Sequence, residues 1–161
     1  MILPLDRHDE FLRFLLKAKQ QTYASQGDEA SVAPLLPGSK QLEWQEGDWL
    51  YRDIYFGMAY FVGQETISFQ RLPVWSMSYA GGVPATIASP EQVRRIYRFL
   101  RSAMRQVSPE HPFRGPQRWQ DEEYLYTDQY QGSIDAYWGS ETITFQGEMV
   151  YELHYSGGFL R

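Results

Sequence analysis

Two stretches of the chain set apolar residues at helical spacing, and after each of them apolar and polar residues alternate. Phe11, Phe14, Leu15, Ala18 and Thr22 follow one helical face, which Leu12 and Leu16 widen. This predicts a first helix capped by Asp9 and running to about Gln21. The second helix is better signalled. Ser89 suits the N-cap, Pro90 the first helical position, and Gln92 completes a capping box. Val93, Ile96, Tyr97, Leu100, Ala103, Met104 and Val107 share its apolar face, and Pro109 and Pro112 stop it. Alternation after the first helix predicts strands at about 48–56, 59–63, 65–70 and 73–80, with turns at Phe56-Gly57, Gly63-Gln64 and Arg71-Leu72. After the second it predicts strands at about 123–131, 134–138, 141–146 and 148–156. The connections are too short for crossover helices, so each set is an antiparallel meander. Residues 23–48, rich in Gly, Ser, Pro and Gln, read as a long loop centred on Leu36-Pro37-Gly38-Ser39.

The two strand sets are copies of each other. Residues 49–82 and 124–158 can be superposed with one inserted residue near Trp138, and a helical segment precedes each. The expected fold is therefore α+β: a duplicated α-β4 unit with antiparallel meanders, related by a pseudo-twofold, with the helices packed on one sheet face. The 161 residues form a single domain of two repeats, about 9–83 and about 89–161. Either repeat alone is near the size at which a core becomes marginal.

Strand parity turns the repeat into a map of faces. Trp75, Met77 and Tyr79 match Tyr151, Leu153 and Tyr155, and Ile67 and Phe69 match Ile143 and Phe145; these are core positions. Glu65 and Glu141 begin the same rows and are expected at the rim. Tyr51, Asp53 and Tyr55 match Tyr126, Asp128 and Tyr130, a Tyr-Asp-Tyr row that occurs twice on one strand face. Brought together by a twofold, the two rows would make an acidic cleft walled by aromatics, suited to a small cationic or aromatic ligand. The same rows also fit a solvated sheet face whose Asp side chains bond loop amides.

Composition narrows the field. With 12 Tyr, 9 Phe and 5 Trp, aromatic residues are abundant, as in ligand pockets and pleated surfaces. A formal charge of −5 argues against direct binding to nucleic acid or an anionic membrane. Cysteine is absent, which removes disulfides, thiolate catalysis and Cys-ligated metals. The first ten residues lack the basic-then-apolar pattern of a signal peptide, and no apolar run approaches a membrane span. A cytoplasmic location is expected, and no metal or cofactor.

Catalytic signals are weak, and no catalytic residue is assigned. His8, His111 and His154 have no metal-ligand spacing. Glu152 and His154 share a strand face as an acid–base pair, and Asp53 with Asp128 could form a proton-sharing dyad. Arg94, Arg98, Arg101 and Arg105 recur at helical spacing beside the apolar face of the second helix. They read as a solvated face paired with the chain's own acids, the alternative being a site for phosphates or an acidic partner.

Several motifs together resemble the DUF5680 family of bacterial domains. They are Pro37-Gly38-Ser39-Lys40, the Leu50-Tyr51-x-Asp53-x-Tyr55-x-Gly57 strand, Val74-Trp75, Arg114-Gly115-Pro116, Trp138-Gly139-x-Glu141, and the closing run from Val150 to Gly158. The resemblance covers the chain from about residue 9 onward. Some members carry this module behind an XRE-type helix-turn-helix, which implies an effector or sensor role there; no such domain is expected in this chain. The family supplies no active-site residues to carry over.

The reading is a cytosolic ligand-binding or sensory module that holds a small molecule between its repeats, using Tyr51, Asp53, Tyr55, Tyr126, Asp128 and Tyr130. The loop at Pro37–Lys40 and the turn at Arg114–Pro116 would rim the site. The alternatives are a protein-interaction module, such as a homodimer through a sheet edge or the second helix, and an acid/base hydrolase or isomerase.

Overall fold

The apolar spacing at Phe11, Phe14, Leu15 and Ala18 folds as helix α1 (His8–Gln21), and these four side chains are buried. The computed structural model describes residues 7–24, 31–87 and 89–161. Asp9 lies inside the first turn of α1, not at its cap. The N-cap position belongs to Arg7, which makes no side-chain capping bond, while Asp9 and Glu10 meet the positive end of the helix dipole. Helix α2 (Pro90–Met104) starts as the sequence predicts: Ser89 Oγ accepts the Gln92 backbone N–H at 3.4 Å, and proline opens the first turn. The buried positions of the two helices correspond one for one. Phe11, Phe14, Leu15, Ala18 and Lys19 are matched by Ile96, Phe99, Leu100, Ala103 and Met104.

The α+β expectation is corrected by the sheet. Strands β1 (Lys40–Glu46), β2 (Trp49–Gly57), β3 (Tyr60–Phe69) and β4 (Leu72–Gly82) make the first half, and β5 (Arg118–Asp121), β6 (Tyr124–Ser133), β7 (Ala136–Phe145) and β8 (Glu148–Phe159) the second. They form one continuous antiparallel sheet in the order β1-β2-β3-β4-β8-β7-β6-β5. The structure is therefore largely β, because β4 pairs with β8 and merges the two meanders edge to edge. Tyr79 opposes Tyr155 in that pairing, and the register is symmetric about them: Ser78 opposes Ser156 and Ala80 opposes His154.

Two strand predictions change for physical reasons. First, β1 lies in the segment read as loop, and its partner-half counterpart β5 lies just before the strand expected from 123; Trp44 opposes Tyr51 just as Trp119 opposes Tyr126. Second, β3 and β7 run unbroken through the predicted turns at Gly63 and Gly139. These glycines are needed for cover, not for bending. A Cβ on Gly63 would stand 2.4 Å from the Tyr79 hydroxyl, and one on Gly139 2.5 Å from that of Tyr155. A tyrosine from the neighbouring strand lies over each glycine. The extra residue of the second copy falls in the turn between β6 and β7, a few residues before Trp138: Gly132 opposes Tyr137 where Gly57 opposes Phe61.

One face of this sheet holds the core. Across it run the rows Tyr51-Ile67-Trp75, Asp53-Glu65-Met77 and Tyr55-Gly63-Tyr79, repeated as Tyr126-Ile143-Tyr151, Asp128-Glu141-Leu153 and Tyr130-Gly139-Tyr155. Each helix lies over its own repeat and reaches the other. Phe99 stacks on Tyr124 of β6, while Tyr97 meets Phe61 of β3 and donates its hydroxyl to the Ala59 carbonyl at 2.6 Å. Phe11 contacts Trp49 and Trp75 of the first repeat and Phe159 of the second.

If Gly63 serves as the bed for Tyr79, Gly63→Val will overpack the core face and is expected to cost about 1–3 kcal/mol in urea unfolding. A neutral result would instead assign Gly63 to a tolerant turn.

Candidate functional site

The row of candidate residues leads into the protein, not onto a cleft floor. Tyr51, Asp53, Tyr126 and Asp128 are all buried, and Tyr55 and Tyr130 are half-buried. Next to the aspartates, Glu65 and Glu141 occupy the centre of the core face, at 2% and 0% exposure, where the sequence placed them at the rim. The reason is a pair of buried cations that parity could not show. Lys19 from α1 reaches Glu65 Oε2 at 2.5 Å and donates to the Phe113 carbonyl at 2.6 Å. Arg114, expected at a rim turn, is likewise buried. It donates to Glu141 Oε1 through Nη2 at 2.8 Å and Nε at 3.1 Å, and its Nη1 lies 3.7 Å from Glu65 Oε1. Glu141 is completed by the hydroxyls of Tyr126, 2.6 Å from Oε2, and Tyr151, 2.8 Å from Oε1.

The loop carrying Arg114 can pass this close because the next residue is glycine: a Cβ on Gly115 would meet the Tyr126 ring and hydroxyl at 2.7–2.8 Å. The two aspartates flank the cluster, each held by its own repeat's tyrosine. Tyr79 donates to Asp53 at 2.6 Å and Tyr155 to Asp128 at 2.7 Å. They are not hydrogen-bonded to each other, so the structure shows no proton-sharing dyad.

Burial sets the protonation of these groups. It is the main reason that Asp53 is pushed up to about 7, the Glu65 charge adding to it, and Tyr79, Arg114 and Lys19 opposing. Asp128 is pushed up to about 7 by burial and then by Glu141. Burial lowers Lys19, against the pull of Glu65. Burial and the nearby carboxylates hold Tyr79, Tyr126 and Tyr151 well above the usual phenol range, so each keeps the proton that it donates to a carboxylate. Four carboxyl groups thus face two cations, and a neutral form of each aspartate relieves the imbalance. The cluster is enclosed by protein side chains, and its chemistry is charge pairing in a buried interior.

Open space lies at its flanks. A pocket of about 340 Å³ is bounded by β2, β3 and β4 of the first repeat and α2 of the second. Tyr55, Phe61, Tyr79 and Tyr97 wall it, with Met58 and Val93, while Lys40, Arg94, Arg98 and Arg101 add charge. Of the six candidate residues only Tyr55 lines it, but Asp53 stands directly behind, bonded to the wall residue Tyr79. Lys40, from the loop expected to rim the site, places Nζ 6.0 Å from the Tyr55 ring centroid. On the other side, Tyr130 lines a pocket of about 280 Å³ between α1 and the second repeat. The opposite sheet face carries two wider, more open depressions of about 600 and 700 Å³. Asp128 and Tyr130 line the second of these, and Asp128 Oδ2 has no hydrogen-bond partner among the described atoms.

The remaining chemistry is sparse. His154 Nε2 lies 3.4 Å from Glu152 Oε1, both exposed on that opposite face. Among the described residues no group of three His, Asp or Glu is placed to hold a metal ion, and no helix is long and apolar enough to cross a membrane. Sequence reasoning missed Lys19 and placed Arg114 at the rim instead of in the buried cluster. Their only signal was a lysine on an apolar helix face and an arginine in a Pro- and Phe-rich turn.

Both aspartates have folded-state pKa values above their unfolded ones, so the stability tied to their neutral forms is full below about pH 4 and lost as pH rises through about 7. Asp53→Asn with Asp128→Asn mimics the neutral forms. In thermal unfolding the double variant is expected to match the wild type at pH 4.5 and exceed it at pH 8, by up to several kcal/mol. Equal pH profiles would show that the aspartates are ionised in the fold at ordinary cost.

No curated protein and no solved structure matches the chain. Residues 53–160 match one protein family, described as a domain of unknown function. The match begins within β2, includes both aspartates, both glutamates and Arg114, and leaves α1 with Lys19 outside it. This chain belongs to the DUF5680 family.

Proposed function

We propose that the domain is a small-ligand-binding, sensory module whose site is the aromatic pocket between the first repeat's sheet and α2. The observation that carries this reading is the pocket itself. A cleft of about 340 Å³ opens where residues of both repeats meet, a volume within the range of small-molecule sites. Its lining includes five aromatic side chains, Tyr23, Tyr55, Phe61, Tyr79 and Tyr97, the composition that buries a flat organic molecule. Behind them the wall is stiff, because Tyr79 is fixed by Asp53 and Tyr97 by the Ala59 carbonyl. A preorganised wall lowers the ordering cost of binding. Because α2 belongs to one repeat and β2–β4 to the other, an occupant would touch both, which is what a sensor needs to alter their packing.

A second reading, association with another protein, draws on the opposite sheet face, where Phe56, Val62 and Trp138 are 44–59% exposed. It requires concentration-dependent sedimentation, whereas the ligand reading does not.

The pocket is tested by filling it. Val93 is half-buried in its wall, and Val93→Trp occupies the space without touching the charge cluster. In a thermal-shift screen of small aromatic metabolites, the wild type is expected to show at least one concentration-dependent rise in melting temperature, as binding to the folded state requires, and Val93→Trp to lose it. A rise that survives in Val93→Trp would place the ligand elsewhere.

A further inference from the structure

The duplication gives the aromatic pocket a counterpart, and the two differ in charge. The pocket beside Tyr55 and the pocket beside Tyr130 occupy corresponding places: Tyr55 and Gly57 in one are Tyr130 and Gly132 in the other. On the helices, the correspondence of buried positions aligns Arg94 with Asp9 and Tyr97 with Leu12, and these four residues line the two pockets. The wall was therefore kept and its charge was not. The first pocket is lined by Lys40, Arg94, Arg98 and Arg101 and by no acid. The second is lined by Asp9, Glu110 and His8.

Among the described residues, the solvated arginines of the first pocket are not paired with the chain's own acids in the way their spacing suggests. Arg94, Arg98 and Arg101 lie one helical turn apart on α2, and none forms a salt bridge with an acid among the described residues, although Arg95 on the next face does, with Glu91. Arg105, the last of the stripe, is used structurally, donating to the Ala24 carbonyl at 3.1 Å. Four cations around an aromatic-walled cleft, in a chain whose net charge is −5, concentrate positive potential at one place. Like charges held together around an apolar cavity repel each other, and an anion among them relieves that repulsion through charge-assisted hydrogen bonds.

We infer that the pocket beside Tyr55 takes a flat, apolar ligand bearing an anionic group, a carboxylate, sulfonate or phosphate, and that its counterpart beside Tyr130 does not. The ring would lie against Tyr55, Phe61 and Tyr97, and the anion at Arg94 and Arg98. This deepens the ligand-binding proposal and rests on it. It also replaces the cationic ligand expected from the Tyr-Asp-Tyr rows, since the carboxylate of this row, Asp53, is buried behind the wall.

A matched pair of dyes tests both levels. Anilinonaphthalene sulfonate and N-phenylnaphthylamine share one ring system and differ by the sulfonate. Fluorescence titration of the wild type is expected to show the sulfonate binding at least tenfold more tightly. In Arg94→Gln/Arg98→Gln, both exposed positions, that preference is expected to vanish while the neutral dye binds as before. Val93→Trp should abolish both signals, and Leu12→Trp, which fills the counterpart pocket, should abolish neither. Equal binding of the two dyes, or an undiminished preference in the double Gln variant, overturns the anionic class while leaving the pocket standing. Absent binding of both dyes, or binding of both that survives Val93→Trp, overturns the pocket and the inference with it.

Discussion

Arg114 is the tie between the two halves. Its guanidinium is bonded twice to Glu141 of the second repeat and faces Glu65 of the first at 3.7 Å. Guanidinium does not lose its proton in a protein, so once the loop at 113–115 closes, this charge must be met inside. Glu141 meets it, and Tyr126 and Tyr151 satisfy the remaining lone pairs of that carboxylate. Lys19 makes a second cross-tie, from the first repeat's helix to Glu65 and to the Phe113 carbonyl in the loop of the second. Removing either partner from such a pair leaves an uncompensated buried charge, which costs far more than the intact pair contributes.

The duplication kept the scaffold symmetric and the charges asymmetric. Both repeats retain the aspartate–tyrosine pair, the glycine under the tyrosine ring and the central glutamate. The cations break the pattern: Lys19 stands where α2 has Met104, and Arg114 has no cationic counterpart in the first repeat, where the matching place before β1 holds Ser39. The same divergence recurs at the surface, where one helix presents Arg94 and the other Asp9. The shared residues hold each half, and the differing ones include both the buried cations that tie the halves together and the surface charges that set the two pockets apart.

The amount legible in sequence follows from this. The duplication, the two helices, the Ser89 cap and the face shared by Tyr51, Asp53 and Tyr55 all follow local rules and could be read directly. Gly63 misled because a glycine beneath a cross-strand ring and a glycine in a turn look alike until the neighbour strand is placed. The β1 strand was hidden by Pro- and Gly-rich surroundings and by alternation over only seven residues. The fold class went wrong for the same reason: meanders that join at β4 and β8 form one sheet, and nothing local announces a seam between residues 76 positions apart. Burial of Glu65 and Glu141 depended on partners 27 to 46 residues away. Carboxylates are assigned to rims unless their cation is known, and Arg114 sits in a turn whose composition suggests exposure.

The central claim is that a buried Arg114 joins the repeats through their glutamates. Urea unfolding of Arg114→Met, followed by Arg114→Met/Glu141→Gln, tests it most directly. The account expects the single variant to lose about 3–5 kcal/mol and the double variant to regain part of that, because the orphaned carboxylate has been neutralised. A single variant as stable as the wild type would contradict it, placing Arg114 in contact with water and leaving the halves joined by the β4–β8 seam and apolar packing alone.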